Sequence, residues 1–543
     1  MPPNLSARLS VWLVCFGTAA FFTMAMIGWH NYVPDDVFFY LKIADSLQRG
    51  LGSTFNGLVM TNGYHPLWML VAWLGRAIAG EDPARIIRVH FAFCALGNVA
   101  AIVLAYRLAR VLRSSGAVAP AVIALNGVFN FVGSEQHLSL PLLLWCLLFA
   151  TALSLRPKTQ PPSTRSLLFG GLLFGATVLA RLDNVFVLAS LALFLLFQTD
   201  VPRQRWRRAG YIGLGASIIV APYLLWNLIA FQHLVPISGA IKKALAQQMG
   251  WNPSKLGHQG QVLCALTLLA PFVGFQFWRA RGSTAVVFFA IGSTLHALYV
   301  LLRMEAVWTW YFSGELIVSA LVLEQVVTLA MQRLGSVPAR VLSALLPLSF
   351  AALLLGTIVV RARYVAPATT PFYIDAGRWL DEHVPEGQGI AVCCSPGSLG
   401  FFTHRPIFAL DGLTGDYAFH ELAAREGLYP ALHRIGVRYL LSVGPESIEL
   451  PGLIQTTRER GHGGEGASFE GLVEPGGTNA ESAAVGLFSP LVARHVGWLR
   501  TSRENLVGAD FCERRMGLWR LQPLDGETVA ALGQARAAMI PAR

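Results

Sequence analysis

The sequence predicts a mainly α, polytopic membrane protein with a C-terminal soluble α/β domain. Three observations predict it. Of the 543 residues, 54% are hydrophobic and only 13% are charged, against about 25% charged in ordinary soluble domains. Apolar runs of near-spanning length recur from residue 9 to residue 360. Acidic residues are crowded toward the C-terminus: 11 of the 31 Asp and Glu lie in 1–362, 20 lie in 363–543, and none falls between Asp200 and Glu305. The expected division is a transmembrane domain at 1–362, including a first external loop at 30–65, and a water-facing α/β domain at 363–543.

Taken in order, the apolar runs fall at 9–29, 66–80, 86–106, 117–133, 138–155, 166–181, 184–198, 209–231, 261–279, 283–302, 311–331 and 340–360, which gives about 11–13 transmembrane helices. The first, Val11 to Trp29, has the ~20 apolar residues of a span. It lacks a small-x-small cleavage site, so it reads as a retained signal-anchor. The run at 66–80 starts at a proline and ends in Arg76 and Gly80, as a partial or re-entrant helix would.

Basic clusters at Arg107/Arg110/Arg113, Arg156/Lys158/Arg165, Arg203/Arg205/Arg207/Arg208, Arg279/Arg281 and Arg333/Arg340 mark one side of the membrane. Less basic connections at 133–138, 182–184, 232–260 and 303–310 mark the other. The positive-inside rule makes the first set cytoplasmic. The N-terminus is then cytoplasmic, and the 30–65 loop and the C-terminal domain face out.

Within the C-terminal domain, FYIDAGRWLDEH (372–383) has helical spacing, GQGIAVCC (387–394) reads as a buried strand and SPGSLG as a turn. PIFALD (406–411) is a second strand, HELAAREGLYPALHRIG (420–436) a helix, VRYLLSVG (437–444) a third strand and RRMGLWRLQ (514–522) a late one. Alternating strands and helices predict a parallel sheet. Residues 456–482, rich in Gly, Glu and Ser, read as a mobile loop.

The net charge of +11 reflects positive-inside loops rather than nucleic-acid binding. The seven cysteines show no metal-ligand spacing. Cys15, Cys94, Cys146 and Cys264 lie in apolar runs as packing residues. Cys393 or Cys394 either pairs with Cys512 in an oxidising compartment or stays free. There is no P-loop, GxGxxG, HExxH or GxSxG, so no site for a soluble nucleotide is evident.

The stretch from Asp35 to Trp68 stands out. Asp35 and Asp36 either cap the following helical segment VFFYLKIADSL or, partly desolvated beside Phe38, Phe39 and Tyr40, serve as a general base. TNGYHPLW (61–68) closes the stretch with Asn62, Tyr64 and His65 at a membrane edge. The loop at 232–260 holds Lys242, Lys243, Lys255, His233 and His258 and no acid, which suits an anionic ligand or lipid headgroups. Three further polar sites mark span ends. They are Glu135, Arg181 with Asp183, and Arg303 with Glu305. Arg181 and Asp183 either pair with each other or meet a substrate. Trp310 and Tyr311 suit a membrane interface or a sugar ring.

DDVFFYLKIADSLQRG, TNGYHPLW, SEQHL, ARLDN, LVPISGAIK and WTWYF, with a soluble C-terminal domain, together resemble the GT-C superfamily of integral-membrane glycosyltransferases. The similarity is to the bacterial branch related to protein O-mannosyltransferases and the aminoarabinose transferase of lipid A. That resemblance implies inverting sugar transfer from a polyprenyl-phosphate donor to a hydroxyl of a glycolipid, cell-envelope glycan or protein. It would occur on the outer face of a bacterial inner membrane, among membrane lipids. It implies Asp35 as the base with Asp36 as its partner. Lys242, Arg303, Arg181 and His65 would meet the donor phosphate, and Tyr40, Asn62, Tyr64, Glu135, Asp183, Trp310 and Tyr311 would support the substrates. Where the aminoarabinose branch has a Lys before its Pro-Pro-Leu, this chain departs with Tyr64-His65. No carboxylate cluster suggests an obligatory divalent metal. Two other classes compete: a transporter or flippase of lipid-linked or anionic solutes, and a non-catalytic assembly protein that binds through the α/β domain.

Overall fold

A computed structural model of the chain describes residues 3–28, 33–129, 133–156, 161–198, 201–242, 267–268, 284–303, 309–334, 336–364, 369–392, 396–410, 413–426, 428–443, 493–500 and 515–521. By their packing, the residues divide into two compact units. The first comprises Met1–Tyr32, His65–Ile229 and Lys242–Val365. The second comprises Val33–Tyr64, Ala230–Ile241 and Ala366–Arg543. Val33–Tyr64, most of the 30–65 loop, thus falls in the second unit, while His65 falls in the first.

The first unit is helical. Among the described residues, six helices are long and apolar enough to cross a membrane: Arg8–Ile27, Pro83–Val111, Gln136–Ser154, Pro202–Phe231, Thr284–Leu302 and Ser313–Arg333. Shorter apolar helices occupy Pro66–Ala79, Val118–Val128, Thr164–Ala180, Leu182–Phe197 and Leu345–Val360. Apart from 267–268, the run at 261–279 lies outside the described residues. The 14-residue helix Pro66–Ala79 rises about 21 Å, short of the ~30 Å hydrocarbon core.

Glycine sets how closely two of these helices approach. A Cβ at Gly171 would sit 2.3 Å from the Ile212 carbonyl oxygen and 2.9 Å from Gly215 Cα. The 164–180 and 202–231 helices therefore touch backbone to backbone, the small-residue contact that substitutes for hydrophobic driving force in lipid. The helix at 118–129 begins beneath a buried acid. Glu324, 0% exposed on the 313–333 helix, accepts from the backbone N–H groups of Gly116, Val118 and Ala119 at 2.6, 2.9 and 3.0 Å and from the Ser115 hydroxyl at 2.5 Å. It satisfies orphan donors at a helix N-terminus, where negative charge is favourable.

The second unit is α/β. Its sheet has the order β2-β1-β3-β5-β4, with β1 Gly389–Val392, β2 Ile407–Ala409, β3 Val437–Val443, β4 Ala493–Arg500 and β5 Arg515–Leu521. β1 is parallel to β2 and β3, but β3–β5 and β4–β5 are antiparallel. The sheet is mixed, a correction to the parallel sheet expected. The helices at Pro396–Phe402, Tyr417–Glu426 and Leu428–Arg434 lie between β1, β2 and β3 in sequence, as parallel crossovers require. No described helix intervenes between β4 and β5. The segment expected as one helix at 420–436 forms two. The expected turn at SPGSLG is a helix from Pro396. Residues 456–482, Cys264, Cys393, Cys394 and Cys512 lie outside the described residues, while Cys15, Cys94 and Cys146 are free thiols.

The loop at 49–64 folds on its own polar groups. Asn56 Oδ1 accepts from Leu58 and Val59 N–H at 2.9 and 3.1 Å, and Thr54 Oγ1 donates to Val59 O at 2.6 Å. Gly52 and Gly57 take φ of 83° and 72°, values that favour glycine. This is turn chemistry on a compact loop.

Replacing Glu324 by Ala strands several buried N–H donors, each worth about 1–3 kcal/mol. Glu324→Ala is expected to lower the unfolding midpoint in detergent, followed by tryptophan fluorescence, and Glu324→Gln to lower it less. An unchanged midpoint for Glu324→Ala would contradict the capping role.

Candidate functional site

In the helical unit the polar residues at the span ends converge. Arg181 follows the helix Thr164–Ala180 in an extended conformation (φ −152°, ψ 121°), which turns its side chain away from the helix. It is 2% exposed. Its Nε and Nη2 grip Asp183 at 3.1 and 2.6 Å in a bidentate fork, and its Nη1 donates to Glu135 Oε1. Glu135 stands at the N-cap of Gln136–Ser154. This geometry suits a guanidinium and not an ammonium.

The network extends in two directions. On one side His65, the N-cap of Pro66–Ala79, has Nε2 3.7 Å from Glu135 Oε1. Its Nδ1 accepts the Leu182 N–H at 3.4 Å. On the other side Asp183 Oδ2 lies 3.3 Å from His296 Nε2, and His296 Nδ1 lies 2.7 Å from Glu315 Oε1. His296 and Glu315 are 4% and 0% exposed. Charges alternate along this chain when His296 carries a proton, which is how buried ionisable groups avoid the cost of isolated charge.

Tyr311 joins two cations. The Arg181 guanidinium carbon lies 4.7 Å from its ring centroid and Lys242 Nζ lies 5.3 Å from it. Lys242 Nζ also donates to the Tyr311 hydroxyl at 2.8 Å. Both distances are within cation–π range. Trp310 packs edge-on against Tyr311 at 6.0 Å. Arg303 ends the helix Thr284–Arg303, and its side chain lies outside the described residues, as do Lys243, Lys255, His258 and Glu305.

The α/β unit holds the paired acids. Asp35 and Asp36 open the helix Asp35–Gln48, and its N-cap is Pro34, so neither acid caps that helix. Asp36 is exposed and Tyr40 half-buried. The Asp35 carboxylate instead accepts from Ser398 N–H and Ser398 Oγ, both at 2.6 Å, on Oδ1, and from Gly397 N–H at 3.1 Å on Oδ2. Asn62, 0% exposed, accepts the Ile237 N–H on Oδ1 at 3.0 Å and so ties the loop to the 230–241 segment. Tyr64 lies 2.7 Å from Ser53 Oγ. Ser53 gives its proton to Thr61 O at 2.6 Å, so Tyr64 is the donor. Burial raises the Tyr64 phenol above its ordinary pKa, against the lowering effect of that hydrogen bond.

The sequence pointed to Arg181, Asp183, Glu135, His65, Lys242 and Tyr311, and the structure brings these six together. It commits Arg181 to two carboxylates. His296, Glu315 and Ser398 were not anticipated. The two acid-network residues lie inside apolar runs, where each is a single polar letter. Among the described residues no group of three or more His, Cys, Asp or Glu is arranged to hold a metal ion.

Residues 65–226 match the family described as dolichyl-phosphate-mannose-protein mannosyltransferase. The fold is similar to that of the archaeal oligosaccharyltransferase AglB from Archaeoglobus fulgidus, solved with an inhibitory peptide and a dolichol-phosphate. That match has a TM-score of 0.50 at 12% identity and covers 98% of this chain and 77% of that one. ArnT from Cupriavidus metallidurans, bound to undecaprenyl phosphate, matches at TM-score 0.48 and 14% identity over 73% of this chain and 85% of that one. The arabinofuranosyltransferase AftD from Mycobacteria matches at 0.46 and 14% over 96% and 40%. No curated protein matches the sequence.

Removing Arg181 leaves Glu135 and Asp183 without their shared cation, and breaking a buried pair costs about 3–5 kcal/mol. Arg181→Gln is expected to melt well below the parent in detergent, and Arg181→Gln/Asp183→Asn to recover part of the loss. An Arg181→Gln protein as stable as the parent would show that the network is not holding these helices.

Proposed function

We propose that this chain, a multi-pass membrane glycosyltransferase of the GT-C superfamily, transfers a sugar from a polyprenyl-phosphate donor to a hydroxyl acceptor on the outer face of the membrane. The observation that carries the donor class is the match of residues 65–226 to a family described by its dolichyl-phosphate-mannose donor. The absence of a nucleotide motif in the sequence agrees with it. The acceptor class is a glycolipid, an envelope glycan or a protein.

In this reading Asp35 is the general base, with Asp36 beside it. As the acceptor oxygen attacks the anomeric carbon, its proton passes to the Asp35 carboxylate. The bond from the anomeric carbon to the phosphate oxygen breaks with inversion, and the lipid phosphate leaves with its electron pair. The growing negative charge on that phosphate needs a fixed cation. We assign this role to Lys242, with Arg303 and His65 as further contacts. Arg181, held by two carboxylates at 2% exposure, acts behind Lys242 by fixing Tyr311. Trp310 and Tyr311 offer aromatic faces for a sugar ring. Asn62, Tyr64, Glu135 and Asp183 hold the segments that carry these groups. A transporter of lipid-linked solutes, the competing class, needs no base and no inversion.

The test is incubation of the full-length protein in detergent with radiolabelled polyprenyl-phosphate sugars and cell-envelope acceptors. Wild type is expected to transfer sugar, or to hydrolyse donor slowly without acceptor. Asp35→Asn should lose about 10²–10⁴-fold in rate while remaining folded, with a modestly lower melting point, since Asn keeps one acceptor oxygen for Ser398 and loses the one that meets the Gly397 N–H. Lys242→Ala should raise the donor KM about tenfold, the scale of one charged hydrogen bond. Transfer by Asp35→Asn at the wild-type rate would remove the base assignment, and movement of intact donor across liposomes without chemistry would favour the transporter.

A further inference from the structure

We propose that Ser398 is a positioning residue that orients the Asp35 carboxylate for proton abstraction; this rests on the reading of Asp35 as the base. Ser398 lies 363 positions further along the chain, in the α/β unit and outside the residues matched to the mannosyltransferase family. It gives Asp35 Oδ1 two donors, its backbone N–H and its hydroxyl, each at 2.6 Å, while Gly397 N–H reaches Oδ2 at 3.1 Å. A carboxylate offers about four acceptor positions. Filling three from one side fixes the plane and rotation of a side chain that would otherwise sample several rotamers at a helix start.

The surroundings hold this arrangement. Ser398 is 3% exposed, so its hydroxyl is largely shielded from bulk water. A Cβ at Gly397 would stand 2.4 Å from the Asp35 carbonyl oxygen and 3.0 Å from Oδ2, so only glycine allows this approach. Phe38 packs on Phe401 and Phe402 at 5.2 and 5.3 Å, and Phe39 on Phe55 at 5.0 Å. Phe55 in turn fills the space over Gly400, where a Cβ would meet its ring at 2.4 Å. The 35–48 helix and the 396–402 segment are thus locked by aromatic contacts on both sides of the carboxylate. Asp36, Lys42 and Asp45 share the 35–48 helix, Asp45 paired with Arg49 at 2.9 Å, and the 396–402 segment has no ionisable side chain. The Thr369–His383 helix packed on it directs Asp381 to Thr403 and His404 at 2.6 and 2.7 Å.

A purely structural role, in which Asp35 only satisfies the backbone of the 396–402 segment, makes a different prediction from a positioning role. Ser398→Ala removes the hydroxyl and keeps both backbone donors. For positioning, kcat of the folded protein falls about tenfold, a fraction of what a misplaced group can lose, while the donor KM stays within about twofold. The acid limb of the kcat profile also moves to higher pH. Activity is lost as pH falls through the pKa of the base, and a carboxylate with one donor fewer holds its proton to a higher pH. Ser398→Thr, which restores a hydroxyl, should return both values toward wild type. Ser398→Cys, close in volume with a weaker donor, supplies the same comparison if the alanine variant does not fold. Wild-type kcat and acid limb in Ser398→Ala or Ser398→Cys, with Asp35→Asn inactive, would overturn the positioning role and leave the base in place. Full activity of Asp35→Asn would instead remove the base reading itself.

Discussion

Arg181 is the residue on which the polar interior of the helical unit depends. Lipid offers no water to solvate an unpaired acid, so each carboxylate within the helices needs a partner from the protein. One guanidinium serves two of them, Glu135 and Asp183, in the planar fork only arginine provides. Through Asp183 the chain of contacts continues to His296 and Glu315, and through Glu135 to His65. Helices separated by up to 250 residues in sequence, from His65 to Glu315, are thereby held in one register. The same cation lies over Tyr311, which carries Lys242 on its hydroxyl. Stability of the bundle and placement of the basic group are therefore one problem with one solution.

Much of the fold was legible because hydropathy and acid content separate so cleanly along this chain. What was not legible required partners distant in sequence. SPGSLG looks like a turn, since Pro, Gly and Ser favour turns. It becomes a helix because Pro396 suits a first helical position and because Asp35 supplies acceptors for the first-turn N–H groups of Gly397 and Ser398, which have no partner within the helix. The strand at 493–500 is broken by Arg494, His495 and Gly497, which weaken the alternation that marks a strand. It pairs with β5, whose antiparallel pairing with β3 makes the sheet mixed.

The candidate site was legible in proportion to how unusual each residue was in its setting. Arg181 and Asp183 interrupt an apolar stretch in a pair, and Glu135 sits where acids are scarce. His296 and Glu315 are equally polar but are single letters within apolar runs. On sequence alone such residues are indistinguishable from tolerated ones. Glu324 belongs with them, because its function depends on the backbone of 116–119. Asn62 adds a contact that no local pattern encodes: its side-chain oxygen accepts the Ile237 N–H.

The Asp35 environment bears on how a base works in this reaction class. Hydrogen bonds to a carboxylate fix its orientation, and Asp35 accepts three, from Gly397 N–H, Ser398 N–H and Ser398 Oγ. In the proposed reaction the acceptor hydroxyl would give up its proton only as the new glycosidic bond forms and the phosphate departs. Basicity is then needed late, and alignment is needed from the start. A base held in one fixed orientation suits that sequence better than one sampling several. The donors come from a helix of seven residues, held in place by the phenylalanines that flank it. Asp35, at the head of the 35–48 helix, thus takes its orientation from Gly397 and Ser398, 362 and 363 positions further along the chain, so this segment of the α/β unit takes part in the chemistry proposed for Asp35.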